Sequence, residues 1–189
     1  MRRFVVIGVA IFLIMITLLV VVTRGGDRPA QDSSVARPAA LADYADTSTE
    51  VRFTLEGSIV ARENRRAIQI TVGRDYRTVE LFDGYQGNVM KSETLSNDQD
   101  AYRAFLSALH NSGYTKTRVA TRGVEPLGAC PNGSRYHYDI LGGSETIQTL
   151  WSTSCNGIKG TFAGNASTVR TLFQAQVPDY QAFVQGVQF

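Results

Sequence analysis

GACPNGSRYHYDILGGSETIQTLWSTSC, residues 128–155, holds both cysteines of the chain, its single Trp and one of its two His. Two strand-like runs, SRYHYDIL and SETIQTLWSTS, flank Gly142-Gly143. A two-residue Gly-Gly turn between such runs is a strong hairpin signal, because both central residues can take positive φ. The turn places Leu141 opposite Ser144 and, counting outward, Cys130 opposite Cys155. That last pair falls on a non-hydrogen-bonded position, where Cα atoms approach within about 4.5 Å, the low end of disulfide geometry. The same register gathers Tyr136, Tyr138, Ile140, Ile147 and Trp151 on the cysteine face. Arg135, His137, Asp139, Thr146 and Gln148 fall on the other face, with Leu150 as the exception. Pro131 and Gly133 interrupt the ladder near the cysteines.

The reading therefore predicts a Cys130–Cys155 disulfide. Such a staple contributes roughly 3–4 kcal/mol on the chain-entropy estimate and implies an oxidising compartment. A zinc site fails on spacing, since the chain has no C-x₂-C and no H-x₃₋₅-H.

Outward from the hairpin, the upstream chain alternates. VRFTLEGSI (51–59) sets Val51, Phe53, Leu55 and Ile59 against Arg52, Thr54, Glu56 and Ser58. AIQITV repeats the pattern with Ile68, Ile70 and Val72, and YRTVELF repeats it with Val79 and Leu81. NVMKSETL is a weaker fourth strand. The breaks between them are turn-rich and too short for crossover helices, which predicts an antiparallel meander. Arg62, Arg65 and Arg66 in ARENRR read as a solvated hairpin turn.

The period then changes. In SNDQDAYRAFLSALHNSG, Ala101, Tyr102, Phe105, Leu106 and Leu109 share a helical face, and Ser96 with Gln99 makes a capping-box pattern. NASTVRTLFQAQ places Val169, Leu172, Phe173 and Gln176 on one face, with Asn165 as its cap and Pro178 as its end. PDYQAFVQGVQF reads as a last short helix with Tyr180, Phe183, Val184 and Val187 inward. The expected fold class is α+β: an antiparallel sheet of about five or six strands with two or three helices on one face.

The N-terminal run FVVIGVAIFLIMITLLVVVT (4–23) carries no charge. At ~1.5 Å per residue it spans roughly 30 Å, the hydrocarbon thickness of a bilayer. It is too long for a signal-peptide core and lacks a cleavage site after it. It also lacks the processing site and Glu of type IV pilins. The stretch that follows is rich in Ala, Ser, Asp, Gly and Pro, a linker composition with a reach of roughly 25–30 Å. The expected organisation is a cytoplasmic tail (1–3), a transmembrane anchor (4–23), a flexible linker (24–49) and an extracytoplasmic globular domain (50–189). Charges flanking the anchor nearly tie under the positive-inside rule. The short tail and the disulfide together select a cytoplasmic N-terminus and a single-pass cell-membrane location.

Net charge is only +2, too little for a nucleic-acid footprint. The chain has no P-loop, no dinucleotide glycine pattern and no G-x-S-x-G. No catalytic, cofactor or metal residue is assigned, and no cofactor is expected. His137 reads as a half-exposed strand residue, and His110 as a favourable contact at a helix C-terminus. The strand end TLWSTSC resembles the TLSTC strand of sortases, surface transpeptidases that pair a Cys with a His and an Arg. That resemblance implies a nucleophile at Cys155, but His110 and Arg170 fall on predicted helices, and Cys130 is left without a role. As a whole, anchor, linker and CPNGSRYHY…LWSTSC…GTF…LFQAQVPDY resemble membrane-anchored surface proteins of candidate-phylum, Saccharibacteria-like bacteria. The resemblance transfers no functional residues. The function expected is a non-enzymatic binding module of the cell envelope, with an envelope protein or cell-wall component as partner. The alternative is a cysteine transpeptidase or hydrolase.

Overall fold

The computed structural model describes residues 40–189. The expected tail, the anchor over 4–23 and the linker up to residue 39 lie outside the described residues. Among the described residues, no helix is long and apolar enough to cross a membrane.

Six antiparallel strands form one sheet in the order β4-β3-β2-β1-β5-β6. They are β1 (Thr49–Glu56), β2 (Arg66–Val72), β3 (Tyr76–Asp83), β4 (Asn88–Ser96), β5 (Arg135–Gly142) and β6 (Glu145–Thr153). The first four are the expected meander. The β5–β6 hairpin then docks on the free side of β1, so β2 and β1 lie at the centre and β5 is interior. Alternation dictates this arrangement: Val51, Phe53 and Leu55 point one way and are nearly or fully buried, while Arg52, Thr54 and Glu56 point the other. Cross-strand registers align Val79, Ile70, Phe53, Tyr138 and Leu150 into one continuous apolar row.

Three helices supply the stripes that cover this row. They are α1 (Gln99–Asn111), α2 (Ala166–Gln174) and α3 (Tyr180–Phe183). Tyr102, Phe105, Leu106 and Leu109 of α1 are buried in the same core as Val169 and Phe173 of α2. The Phe173 ring stacks on Phe53 with centroids 5.5 Å apart and meets Phe105 edge-on at 5.2 Å, the geometries that aromatic quadrupoles favour. Asn165 caps α2 as expected, accepting from the Thr168 amide. The cap of α1 differs from expectation. Asp98 accepts from the Ala101 amide, whereas Ser96 is held in β4 opposite Tyr76. The carboxylate at the helix start also meets the positive end of the dipole. Gly113 and Gly164 let the end of α1 approach the start of α2. A Cβ on Gly164 would collide with the Gly113 carbonyl, and the Asn165 amide donates to the Ser112 carbonyl at 2.9 Å.

The packed body reaches back before Val51. A short 3-10 turn, Leu41–Tyr44, buries Leu41 and Ala45 in the core, so the last residues expected as linker belong to the fold.

The hairpin register also differs from expectation. Gly142 pairs with Glu145, so the turn is Gly143-Ser144, and a bulge at Ile147 intervenes between the Ile140 and Leu141 pairings. Together these shift the pairing by three residues, setting Tyr138 opposite Leu150. An odd shift exchanges the faces of β6. Leu150 is therefore in the core, Trp151 is on the far face and Ile147 is exposed.

β4 is an edge strand with nearly every side chain exposed. Its bulge at Met90 and the inward-pointing charges Lys91 and Glu93 break the flat edge that another strand could join. Lys91 places its ammonium 4.2 Å from the centroid of the Phe183 ring.

Candidate binding face

The side of the sheet away from the helices is a polar surface in three rows. Thr94, Thr78, Thr71, Arg52, Asp139 and Thr149 follow one another across the strands as register partners. Ser92, Glu80, Gln69, Thr54, His137 and Trp151 form the second row, and Phe82, Ala67, Glu56, Arg135 and Thr153 the third. Most of these side chains are half-buried by their neighbours.

Within the rows, side chains are tied across neighbouring strands. Arg52 Nε donates to Thr71 Oγ1 at 3.3 Å, Gln69 Nε2 to Glu80 Oε2 at 3.2 Å, and Thr149 Oγ1 to Asp139 Oδ1 at 2.9 Å. Burial raises the Asp139 pKa above its ordinary value, and the Thr149 hydroxyl opposes that shift. Cross-strand pairs of this kind hold side chains in defined rotamers. The face therefore presents a fixed pattern of donors and acceptors.

One end of the face is a charged cluster. Arg65 and Arg135 are 4% and 2% exposed. Both guanidiniums reach Glu56 Oε2 at 3.0 Å. Arg135 also donates to the Gly57 carbonyl at 2.9 Å, and Arg65 donates to the Gly57 and Arg66 carbonyls. The cluster thus fastens the connection after β1 to the sheet. It holds the Glu56 carboxyl down at about 2, His137 contributing most, against the opposing pull of burial, with Arg135 and Arg65 adding to it. At 3.9 Å, His137 Nε2 is outside hydrogen-bond range of Glu56 Oε1. The two arginine contacts are therefore the ones that fix the carboxylate in place. Arg65, expected in a solvated turn, is instead among the most buried polar residues, with both terminal guanidinium nitrogens engaged by these carbonyls and Glu56 and its Nε left without a partner.

The cysteines are bonded to each other, with Cα atoms 5.6 Å apart. The bond lies outside the ladder, since β5 begins at Arg135 and β6 ends at Thr153. It is therefore a loop-to-loop staple rather than the expected cross-strand pair. Cys130 takes φ 55°, which turns its chain toward Cys155. Cys155 accordingly carries no free thiol in this form. His137 and Asp139 share the polar face, whereas His110 sits exposed on the last turn of α1, in the helical layer. The structure does not gather the three into one site.

A second concavity, of about 1080 Å³, lies between β4, the connection after β1 and the C-terminal residues 182–189. Its cations are engaged internally. Arg66 donates to the Glu63 and Arg65 carbonyls, and Lys91 to the Phe183 carbonyl at 3.4 Å. The polar face is the better candidate, because its side chains point outward from six strands at once. The glutamate–arginine cluster escaped the sequence reading, since nothing local marks an Arg as buried. The alternation of polar residues along β1 was the signal for the face itself. The chain matches no family model and no curated protein sequence.

Proposed function

We propose that this chain is a single-pass, membrane-anchored, extracytoplasmic binding module that presents the polar face of its sheet to an envelope protein or a cell-wall component. The observation that carries the reading is the interlocked polar surface spanning all six strands. Cross-strand pairs stabilise the sheet, and the rigid, half-desolvated donors and acceptors they leave on this face lower the entropic cost of recognition. The Cys130–Cys155 bond supports an oxidising location. The apolar run at 4–23 supports anchoring, and the linker composition of 24–39, with a reach of roughly 20–25 Å on the square-root rule, suits a module that searches near its own membrane. The reading is non-enzymatic, with no nucleic-acid partner.

The test uses photo-crosslinking residues placed one at a time in the full chain, in its native envelope. Substitution at Thr78 or Gln69 is expected to yield one discrete adduct, and substitution at Ser144 on the β5–β6 turn none. Gln69→Arg is expected to abolish the adduct formed from position 78. Adducts of equal yield from the polar face and from the turn would overturn the reading. A thiol probe that labels Cys155 in protein taken directly from the envelope would move it to the cysteine-enzyme alternative.

A further inference from the structure

Residues 112–134 join α1 to β5, and their first part builds a ribbon beyond the sheet. Arg118 N donates to the Thr161 carbonyl at 2.8 Å, Thr121 N to Lys159 O at 2.7 Å, and Ala163 N to Lys116 O at 2.9 Å. Phe162 N donates to the Trp151 carbonyl at 3.0 Å, which seats the ribbon against the outer edge of β6.

The ribbon and its turn carry Lys116, Arg118, Arg122 and Lys159, all exposed. Glu125 is the only carboxylate in residues 112–134 and 156–165. No ion pair engages any of the four cations among the described residues; Arg118 Nε donates to the Gly160 carbonyl at 3.1 Å, which leaves its charge uncompensated. The same connection holds the two most exposed large apolar side chains described, Val119 at 92% and Leu127 at 82%, against 53% for the next, Ile147. Single exposed apolar residues are ordinary on surfaces. Two nearly naked ones in one connection that also carries Lys116, Arg118 and Arg122 without an ion pair, on a chain whose net charge is only +2, are a specific combination.

We infer that this ribbon is a docking surface for anionic phospholipid headgroups, with Val119 and Leu127 entering the interface. Charge complementarity selects an anionic surface. The apolar tips select a bilayer over a water-soluble polyanion, which would leave them in water. Basic residues flanking apolar ones are the chemistry of interfacial membrane contacts. The inference uses the anchored reading only to say which surface the ribbon meets, since the 4–23 run would hold it within tether range. Docking through the β6 edge would also stand the sheet upright, leaving the polar face free.

The test uses the full chain with a nitroxide on Val119→Cys; the bonded cysteines leave that thiol alone reactive. The chain is placed in phosphatidylcholine vesicles with and without phosphatidylglycerol, and collision with oxygen and with a water-soluble nickel complex is measured. With phosphatidylglycerol, the label is expected to gain oxygen access and lose nickel access several-fold. Lys116→Glu with Arg122→Glu, or high salt, is expected to reverse this, and a label at Ser144 is expected to stay aqueous throughout. A label at 119 that remains aqueous while the chain co-sediments with the vesicles overturns the ribbon contact and leaves the anchor standing. A chain that fails to co-sediment with neutral vesicles, yet immerses its label on anionic ones, supports the ribbon and defeats the anchor. Immersion that ignores the charge reversals, or displacement by soluble poly(glycerol phosphate), overturns the assignment to anionic lipid.

Discussion

Glu56 on β1 and Arg135 on β5 are direct register partners, and the Arg135 Nε donates to Glu56 Oε2 at 3.0 Å. Arg65 closes on the same oxygen from the connection before β2. One carboxylate thus compensates two guanidiniums that are almost wholly removed from water, and removing it strands both. Glu56→Gln is expected to lower unfolding free energy by about 2–4 kcal/mol, below the full range for a buried pair because Glu56 is partly exposed. Urea unfolding of the wild type and the variant measures this. A change under 1 kcal/mol would show that the arginines are held by the carbonyls alone.

The same carboxylate sets an acid limb. Its pKa is depressed in the folded protein, so its contribution is complete above its unfolded value of 4.5 and is lost as pH falls toward about 2. Over that window the loss from this group is at most about 3 kcal/mol. Stability measured from pH 6 to pH 2 is expected to fall less steeply in Glu56→Gln than in wild type. Parallel curves would place the acid sensitivity elsewhere.

The staple gives a third expectation. Cys130 and Cys155 are separated by 25 positions, and Cys130→Ser with Cys155→Ser is expected to cost roughly 3 kcal/mol. Mass spectrometry of unreduced peptides is expected to recover the bonded pair from protein in its native envelope. Free thiols there would remove both the staple and the argument for an oxidising compartment.

The sheet was legible because its strands alternate. Val51, Phe53 and Leu55 announce a buried face, and Arg52, Thr54 and Glu56 announce the polar one now proposed to bind. The helices were legible from Phe105, Leu106 and Leu109 and from the Asn165 cap. The register of β5 with β6 was not, because Gly142-Gly143-Ser144 supports more than one tight turn and the Ile147 bulge has no sequence mark. The disulfide survived that error, since residues beyond both strand ends can bend to meet. Arg65, Arg135 and Tyr114 were missed for a different reason. Their burial depends on partners distant in sequence. The Tyr114 hydroxyl lies 2.8 Å from the Arg52 carbonyl and 3.0 Å from that of Asp139.

That hydroxyl is itself testable. Tyr114 is 1% exposed, and burial raises its pKa well above the ordinary phenol value. It therefore keeps its single proton, which is shared between the carbonyls of two neighbouring interior strands. Tyr114→Phe keeps the ring contact with Tyr138 and deletes only the donor, at an expected cost of about 1–2 kcal/mol. A neutral effect on thermal and urea unfolding would mean that water replaces the hydroxyl.

The last prediction concerns the open edge. Lys91 and Glu93 point toward the helix side of β4, where a joining strand would bury them. Lys91 is held against the Phe183 ring, whose face attracts its charge. Desolvating such charges costs far more than a few ladder hydrogen bonds return. Lys91→Val with Glu93→Val removes that penalty and adds β-branched residues to a strand already carrying exposed Val89 and Met90. The double variant is expected to dimerise or aggregate at concentrations where the wild type sediments as one species. Lys91→Val alone is expected to do so less, because Glu93 still opposes pairing. The Met90 bulge remains in both variants, so sedimentation velocity separates the two devices. A double variant that stays at the wild-type sedimentation coefficient would assign protection of the edge to the bulge rather than to the charges.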